Sequence, residues 1–437
     1  MIKARSAKSA SPAAKNRFER HPRLTLSLVL LGTLAVVILG AEMIARWVHP
    51  SDTGMSYHYR IPHPHFGWVL ESGASYVNRM PEESIPVSYN AEGFRDRPRT
   101  NKPKGVTRVL VLGDSFMEAY SVRFEDALPT RLEQLISTEK RPVEVINFGV
   151  GGYSTLQQYL LFKAFGRAYQ PDVVVLAMYL DNDLEENSRE LSKTTERESL
   201  NSTARPFLDP QVGEPDWRVT QVDFEGAMRR YQAYRRRHAE PLNQMLRHSA
   251  LLQLGQRALK KAGLLKVRGK ARVRSSTSKE RRYLVNYGHQ YCDQPPEFQR
   301  AWNVTRRILA RLDSEVRAAG ARLLVMSVPA NYEVEKASMA RVMRKAPQAN
   351  LLCLREAPGN QHLGEVLGEL DIDYLDLLQA FRDASQQTGV TIFRADLHWN
   401  AQGHALAAQK LAAALERRGY LVRDEADFAS DGQVEAR

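Results

Sequence analysis

The sequence predicts an α/β fold, a three-layer α/β/α sandwich around a five-stranded parallel sheet. Five short apolar runs alternate along the chain with stretches of helical periodicity. The runs are continuous and rich in β-branched residues, as expected for strands that a parallel sheet buries on both faces. The helical stretches between them supply the crossovers that parallel strands need. The five runs are RVLVLG from Arg108, VEVINFG from Val143, DVVVLAMYL from Asp172, RLLVMSVP from Arg322 and DIDYLDL from Asp371.

Helical periodicity lies between and after these runs. Apolar residues recur there three or four positions apart, which is the pattern of a helix with one buried face. Helices packed on both faces of the sheet would complete the three layers. The four clearest stretches run from Ala127 to Ser137, from Thr155 to Ala168, from Trp302 to Ala319 and from Ala401 to Arg418.

The amino-terminal region has the pattern of a membrane anchor. Residues 1–23 carry seven basic residues against the single acid Glu19, and residues 24–41 carry no charge. A spanning helix needs about 20 apolar residues, and the stretch 24–47 reaches that length if Glu42 lies at the membrane interface. We expect a basic cytoplasmic tail followed by a transmembrane anchor. A cleaved signal peptide and a buried core helix are the alternatives.

The charge before the anchor predicts the orientation of the chain. Basic residues favour the cytoplasmic side, so everything after residue 47 should lie across the membrane. In a bacterium this predicts a single-pass inner-membrane protein with a periplasmic domain.

Composition shifts along the chain predict six regions. The five regions that follow the amino-terminal tail differ from one another in loop content, in charge and in strand pattern. The regions are a tail (1–23), the anchor (24–47), an elaboration of loops and short strands (48–105), the α/β domain (106–187 and 297–420), a basic, partly helical insertion (188–296) and a C-terminal tail (421–437).

The net charge of +12 does not indicate a nucleic-acid-binding protein. Between Arg229 and Arg282 there are 17 basic residues against two acids, a net charge of +15, and residues 1–23 carry a net charge of +6. The remainder of the chain is therefore acidic on balance. For the basic insertion three interpretations stay open: a solvated surface, contact with anionic lipid headgroups, or contact with an acidic polysaccharide.

The chain has only two cysteines, Cys292 and Cys353. Two are too few for a disulfide scaffold, but an oxidising compartment would permit one bridge between them. A single disulfide and two buried thiols both remain open.

Polar residues suited to acyl-ester chemistry follow the predicted strands. In a parallel α/β sheet, ligands bind beyond the carboxyl ends of the strands. Ser115 follows the first strand, where Gly-Asp-Ser is as typical of a helix cap as of a nucleophile. A serine nucleophile needs a base and a group that orients the base. His398, with Asp396 two residues before it, can provide both.

The reaction also needs donors for the developing oxyanion. The backbone N–H of Ser115 lies at a predicted helix start, where the dipole favours negative charge. Gly152 offers an N–H that no side chain obstructs, with Gly151 as the rival. Asn182 offers a neutral side-chain NH₂ group.

Four segments, in this order, resemble the SGNH (GDSL-type) hydrolases. They are GDS at 113–115, NFGVGG at 147–152, DND at 181–183 and DLH at 396–398. The resemblance implies that Ser115 is the nucleophile and His398 the base. It also implies an oxyanion hole made by the Ser115 N–H, the Gly152 N–H and Asn182.

Two departures from the family pattern concern the last two segments. Asp181 stands where the family usually has a glycine, which should change the local turn without removing Asn182. The last segment reads Asp-x-His instead of Asp-x-x-His, and with Trp399 it resembles membrane-associated polysaccharide O-acetyltransferases of the alginate type.

We therefore expect an anchored periplasmic serine esterase that cleaves acyl esters, chiefly acetyl esters, of a glycan or lipid. An O-acyltransferase with the same triad and a silent polysaccharide-binding scaffold are the alternatives. No cofactor or metal is expected: the carboxylates Asp181, Asp183, Glu185 and Glu186 lack neighbouring histidines and are interpreted as a solvated loop. His404, within the last helix, is interpreted as structural.

Overall fold

The protein is described by a computed structural model. The described residues are 21–48, 60–80, 82–99, 101–192, 205–209, 218–239, 249–261, 279–388 and 391–421. The strands are β1 (Arg60–His63), β2 (Gly67–Leu70), β3 (Ser75–Arg79), β4 (Ser84–Ser88), β5 (Thr107–Gly113), β6 (Val143–Gly149), β7 (Val173–Met178), β8 (Arg322–Ser327) and β9 (Asp373–Leu375).

Helices precede, connect and follow these strands. Those before the second half of the sheet are α1 (Pro22–Val48), α2 (Ser115–Glu118), α3 (Leu128–Ile136), α4 (Thr155–Ala164), α5 (Leu180–Asn187), α6 (Arg189–Ser192), α7 (Phe224–Ala239), α8 (Ala250–Lys261) and α9 (Lys279–Tyr287). The later ones are α10 (Pro296–Ala318), α11 (Asn331–Val334), α12 (Lys336–Lys345), α13 (Pro358–Glu369), α14 (Leu378–Thr388) and α15 (Ala401–Arg417).

A five-stranded parallel sheet carries the α/β domain, in the order β6-β5-β7-β8-β9. The predicted three-layer sandwich is confirmed. The chain runs outward from β5 in both directions, so β5 and β7 flank the position where the strand order reverses. Such a switch point leaves a crevice at the carboxyl ends of the strands.

Side chains of β5 alternate between two cores, one on each face of the sheet. Val109 and Val111 pack in the core that includes buried leucines of α15, and Leu110 and Leu112 in the core that includes buried leucines of α10. All seven residues of β5 are buried. The strand that precedes Ser115 is therefore fixed from both sides, as the continuous apolar run predicted.

One helix begins earlier than the sequence predicted. The helix expected from Trp302 starts at Pro296. Proline suits the first turn, where no backbone N–H is needed, and Phe298 and Ala301 in this added stretch are buried.

Residues 60–88 form two antiparallel hairpins, β1–β2 and β3–β4. Buried residues of both hairpins, including Trp68, Ile85 and Val87, belong to the same core as Leu110 of the central strand. The hairpins are therefore packed onto the α/β domain.

The chain divides into two compact units. One contains residues 1–52 and 240–268, and the other contains residues 53–239 and 269–437. The described helices of the first unit are α1 and α8. Helix α7 belongs to the second unit, where it packs on β1.

Cys292 and Cys353 form a disulfide bond. Backbone hydrogen bonds reinforce it, because Cys292 N–H donates to Leu351 O at 2.8 Å and Cys353 N–H donates to Gln290 O at 2.9 Å. Of the two possibilities left open by the sequence, the structure has the bridge.

Candidate active site

Ser115 begins α2, two residues after Gly113, which ends β5. The cap of this helix is Asp114, whose Oδ1 accepts the Phe116 N–H at 2.9 Å. A Cβ atom on Gly113 would lie 2.3 Å from Met117 Cγ, so glycine is needed for the turn to pack back on the strand. Because Asp114 supplies the cap, the Ser115 hydroxyl is available for another partner.

That partner is His398. Ser115 Oγ lies 2.8 Å from His398 Nε2 although 283 positions separate the two residues. His398 Nδ1 lies 3.1 Å from Asp396 Oδ2. The three side chains predicted from the sequence as nucleophile, base and orienting carboxylate are thus connected in that order.

The short Asp-x-His spacing works because Leu397 has a left-handed backbone. Its φ is 73°, a conformation that side-chain-bearing residues seldom adopt. The turn is closed by Arg394 N–H donating to His398 O at 2.8 Å, and Asp396 Oδ1 also accepts the His398 N–H at 3.2 Å. The positive φ at Leu397 therefore folds the carboxylate back onto the imidazole within two residues.

The surroundings of Asp396 favour its charged form. Burial by itself would raise the pKa of this carboxyl, but the hydrogen bond from His398 and the charge of His398 outweigh it and hold the pKa below its ordinary value. An ionised Asp396 keeps the proton of His398 on Nδ1, so Nε2 can accept a proton from Ser115.

The glycine segment forms a tight turn beside Ser115. Tyr153 N–H donates to Val150 O at 3.1 Å, and Gly152 has a φ of 76°. This φ at the third position is typical of a type II turn, in which the central peptide is flipped. That central peptide carries the N–H of Gly152, the predicted oxyanion donor.

The rival donor, Gly151, is engaged elsewhere. Its N–H donates to Glu118 Oε2 at 2.7 Å. Glu118 is fully buried at the end of α2 and also accepts the Tyr89 hydroxyl at 2.7 Å through Oε1. Of the two glycines considered as donors, Gly151 is therefore already engaged within the protein.

Asn182 lies in the first turn of α5, where its Nδ2 donates to Asp114 Oδ2 at 2.7 Å. Burial raises the pKa of the Asp114 carboxyl, and the amide contact opposes that effect. The second hydrogen on Asn182 Nδ2 can serve an oxyanion. The cap of the nucleophile helix therefore also orients the predicted amide donor.

The carboxylates around Asn182 do not form the predicted solvated loop. They lie in helix α5, and Asp183 and Glu185 are buried. Asp183 accepts hydrogen bonds from Thr155 Oγ1 at 2.9 Å and Tyr179 N–H at 2.8 Å. Burial, together with the charge of Asp114, raises the pKa of Asp183 well above its ordinary value. The interpretation failed because these carboxylates satisfy local donors in the interior.

Three side chains contact the carboxylate of Asp181, the other departure from the family pattern. Its carboxylate accepts the hydroxyl groups of Tyr179 and Tyr332 and lies 3.1 Å from His289 Nε2. His289 lies three residues before Cys292 of the disulfide. The segment tied down by that bridge therefore contacts the residue beside Asn182.

Residues of the N-terminal hairpin region hold the chain just after Ser115. The Arg95 guanidinium is buried and donates to the carbonyl oxygens of Ala119 and Val122. Asn78 Nδ2 donates to Tyr120 O at 3.0 Å. Sequence reasoning missed these contacts, because nothing in the sequence marks Arg95 or Asn78 as neighbours of residues 119–122.

The same region holds the turn that carries Asp396 and His398. Glu83 pairs with Arg394, and its other oxygen lies 3.5 Å from Arg123 Nε. Glu82 Oε1 accepts the Ala395 N–H at 3.1 Å. The tip of the β3–β4 hairpin thus links the nucleophile side and the base side of the site.

Aromatic rings surround the imidazole of His398. Its ring centre lies 4.9 Å from that of Phe116 and 5.2 Å from that of Tyr120. Trp399 is fully buried and packs edge-on against Phe116 at 5.1 Å. These contacts restrict the ring of His398 on the faces away from Asp396.

Arg205, in the predicted insertion, supports the glycine turn. Its Nη2 donates to Gly152 O at 2.9 Å and lies 2.8 Å from Glu186 Oε1. Its guanidinium lies over the ring of Trp68, 5.2 Å from the ring centre. Burial raises the pKa of Glu186 to about 7, and the charge of Arg205 opposes that effect.

His404 does not contact the reacting groups. It is fully buried in α15, where Nδ1 accepts the Leu128 N–H at 3.2 Å. Burial lowers its pKa to about 3, so the ring is neutral. This placement agrees with the structural role expected for it.

Comparison with known proteins gives one family. Residues 287–437 match the family model described as SGNH hydrolase-like domain, acetyltransferase AlgX. No curated protein sequence is significantly similar to the chain.

Several solved structures are similar to the chain in fold. The acetyl xylan esterase AlAXEase is 14% identical, with a TM-score of 0.34 over 70% of this chain and 99% of that one. TesA is 12% identical, with a TM-score of 0.33 over 72% of this chain and 100% of that one. A putative G-D-S-L lipolytic protein from Desulfitobacterium hafniense DCB-2 is 12% identical, with a TM-score of 0.33 over 71% and 99%.

The family model covers the half of the sheet domain that contains α10, β8, β9 and the Asp396–His398 turn. The four sequence segments predicted the same family from the other half as well as from this one. From residue 287 onward the chain is therefore similar to the SGNH hydrolase-like domain of the acetyltransferase AlgX, the family type that the four segments predicted.

Proposed function

We propose that the chain is a membrane-anchored periplasmic enzyme that forms an acyl-enzyme on Ser115 and handles acetyl esters of a polysaccharide. The single observation that carries the proposal is the contact of Ser115 Oγ with His398 Nε2 at 2.8 Å, with Asp396 on the other ring nitrogen. A hydroxyl held against an oriented imidazole is the arrangement that nucleophilic acyl transfer needs.

In the first half of the reaction, His398 Nε2 takes the proton of Ser115 as Oγ attacks the ester carbonyl. The N–H groups of Ser115 and Gly152 and the amide of Asn182 donate to the oxyanion of the tetrahedral intermediate. His398 then gives the proton to the departing alkoxide. This leaves an acyl group on Ser115 and an alcohol as the first product.

In the second half, a hydroxyl group attacks the acyl-serine while His398 accepts its proton. The bond between the acyl carbon and Ser115 Oγ then breaks as His398 returns the proton to Oγ, which regenerates the free enzyme. If the hydroxyl belongs to water, the product is a free acid and the enzyme is an esterase, as the sequence first predicted. If it belongs to a sugar, the product is an acylated sugar and the enzyme is an O-acetyltransferase. The family model, whose named member is an acetyltransferase, favours the sugar acceptor.

The anchor is supported by α1, the one helix in the described ranges that is long and apolar enough to cross a membrane. Within Pro22–Trp47, the most apolar window of 18 residues has a mean hydropathy of 2.5, and none of that window is buried. The basic residues before it favour a cytoplasmic amino terminus. The acylated glycan or lipid would then be met on the periplasmic side.

The test incubates the detergent-purified full chain with a chromogenic acetate ester, with and without oligosaccharide acceptors. Free acetate and acetylated oligosaccharide are followed together. We expect acetylated oligosaccharide that depends on the acceptor and is lost in Ser115→Ala. The matched control is Ser72→Ala, which removes an exposed hydroxyl in a turn and should leave both products unchanged.

Acetate release that ignores every acceptor would replace the transferase with the esterase. If the folded wild-type chain forms neither product and no acetyl-serine, the polysaccharide-binding scaffold is the remaining interpretation.

A further inference from the structure

Helices α1 and α8 contact each other through a carboxylate. Glu42 Oε2 accepts the Ser249 hydroxyl at 2.7 Å and the Leu251 N–H at 3.1 Å, and Oε1 accepts the Ala250 N–H at 2.9 Å. Glu42 thereby satisfies N–H groups at the start of α8, which have no partner within that helix. Its negative charge also lies at the positive end of the α8 dipole.

Glu42 lies where α1 leaves the apolar part of its sequence. The uncharged stretch ends at Ala41, and Arg46 pairs with Glu42 at 2.7 Å one turn later. The 27 residues of α1 would extend for roughly 40 Å, longer than a hydrocarbon core of about 30 Å. On the proposed topology, the start of α8 therefore lies at the membrane–water boundary.

The apolar surface of α8 is wider than its contact with α1. Ala250 is buried at the start of the helix. A neighbouring stripe is formed by Leu252, Gly255 and Leu259, which are three and four positions apart and so share one face. Leu252 and Leu259 are 41% and 43% exposed, and a Cβ on Gly255 would meet no atom within 4 Å.

The charge of this part of the chain suits a negatively charged surface. Residues 241–268 contain six basic residues and no acid. Basic side chains near anionic headgroups attract a helix to the membrane surface.

We propose that α8 is an interfacial helix whose stripe of Leu252, Gly255 and Leu259 lies in the headgroup–acyl boundary of a bilayer that contains anionic lipids. A helix attached beside a membrane span, with exposed leucines and a basic sequence, is the kind that lies in the interface. A polysaccharide would match the charge but would leave the exposed leucines without an apolar partner. The inference rests on the proposed anchor.

The experiment places one fluorescent label at a time on the full chain. Leu252→Cys and Leu259→Cys report on the stripe, Gln253→Cys is the matched control on the other side of α8, and Leu34→Cys reports on the span. Each variant is labelled with a thiol-reactive NBD dye under non-reducing conditions, which preserve the native disulfide. The proteins are reconstituted in phosphatidylcholine–phosphatidylglycerol vesicles with or without nitroxide-labelled lipid.

We expect blue-shifted emission and quenching by nitroxide lipid at positions 252, 259 and 34, with little quenching at 253. In a Glu42→Ala background, quenching at 252 and 259 should be lost while quenching at 34 remains. Glu42→Gln, which keeps an acceptor oxygen, should retain more of it.

Quenching at 34 with none at 252 and 259 would overturn the interfacial helix and leave the anchor standing. No quenching at 34 would refute the anchor, and this inference with it. If the labels at 252 and 259 are shielded from water only after polygalacturonate is added, the stripe binds an acidic polysaccharide instead. That result also overturns the proposal.

Discussion

The backbone N–H of Gly151 donates to the buried carboxylate of Glu118 at 2.7 Å. Glu118 ends the short helix that Ser115 begins, so one hydrogen bond joins the nucleophile segment to the turn that presents the Gly152 N–H. A Cβ on Gly151 would lie 2.6 Å from Glu118 Oε2 and 3.5 Å from Ser115 Cβ. The two segments are therefore as close as a glycine allows.

Glu118→Gln should lower kcat more than it raises KM. The variant replaces a charged acceptor with an amide, so the glycine turn loses its fixed orientation and one oxyanion donor is misplaced. Complete loss of such a donor costs on the order of 10²- to 10³-fold, which sets the upper limit. Single-turnover acylation with a chromogenic acetate measures the effect.

The matched control for Glu118 is Tyr89→Phe. It removes the other hydrogen bond to this carboxylate, which Tyr89 donates at 2.7 Å, but leaves the Gly151 contact in place. It should cost about 1 kcal/mol of unfolding free energy and little rate. Equal losses of rate in both variants would mean that Glu118 acts only through general stability.

Ser115→Ala should abolish acyl-enzyme formation, whereas Asn182→Ala should leave residual turnover. Ser115 would form the covalent bond, but Asn182 would share oxyanion stabilisation with two N–H groups, and one donor contributes on the order of 10²- to 10³-fold. Trapping of acetyl-serine by mass spectrometry, after circular dichroism has established folding, measures both. An acyl-enzyme formed by Ser115→Ala at the wild-type rate would contradict the nucleophile assignment.

Leu397→Gly should keep most of the activity, and Leu397→Val should lose much of it. Glycine adopts a φ of 73° without strain, and the leucine side chain is 51% exposed, so little packing is lost. A β-branched residue in the left-handed region costs on the order of 1 to 3 kcal/mol, which would open the two-residue turn between Asp396 and His398. The measurements are kcat/KM and the thermal midpoint, and wild-type kcat/KM in the valine variant would refute the role given to this turn.

His404→Gln should make the free energy of unfolding depend less steeply on pH in the acid range. Burial lowers the pKa of His404 to about 3 in the folded protein, against about 6.5 in the unfolded chain. The folded state thus favours the neutral ring. The contribution of the neutral His404 ring to the free energy of unfolding is fully present above pH about 6.5. It is lost as pH falls toward 3, by roughly 5 kcal/mol in all.

Glutamine keeps an acceptor for the Leu128 N–H but cannot take a proton in this range. Urea unfolding of both proteins at several pH values between 7 and 4 gives the two slopes, so the comparison does not depend on their absolute stabilities. Parallel slopes would show that His404 does not control acid unfolding.

The sequence predicted the features that follow from local pattern. The central strand β7 is a continuous apolar run, and β5 is apolar from Val109 to Leu112. Ser115, Gly152, Asn182 and His398 each lie close to the end of a strand or the start of a helix, so the fold converts their order along the chain into proximity. Burial of Asp183 was not predictable in this way. It depends on Thr155 Oγ1 and the Tyr179 N–H, and such pairing is visible only in three dimensions.

The residues that support the site from outside the sheet could not be predicted from the sequence, for a related reason. Arg95 and Glu83 lie on surface-type sequence before the first strand of the sheet, and an arginine or glutamate there is usually solvated. Their partners are backbone carbonyls at 119 and 122 and the side chain of Arg394. Contacts between residues so far apart along the chain produce no periodic pattern in a single sequence.

The positions of Ser115 and His398 along the chain have a consequence for synthesis, if the proposed function holds. Ser115 follows a strand that pairs on both sides within the sheet, but His398, its proposed base, lies 283 residues later, on the turn before α15. Chains emerge from the ribosome amino terminus first, and a serine without its base is a weak nucleophile. On the proposed mechanism, a newborn chain would therefore carry its nucleophile without a base until residue 398 has been made, and a copy terminated before that residue would be unreactive towards esters.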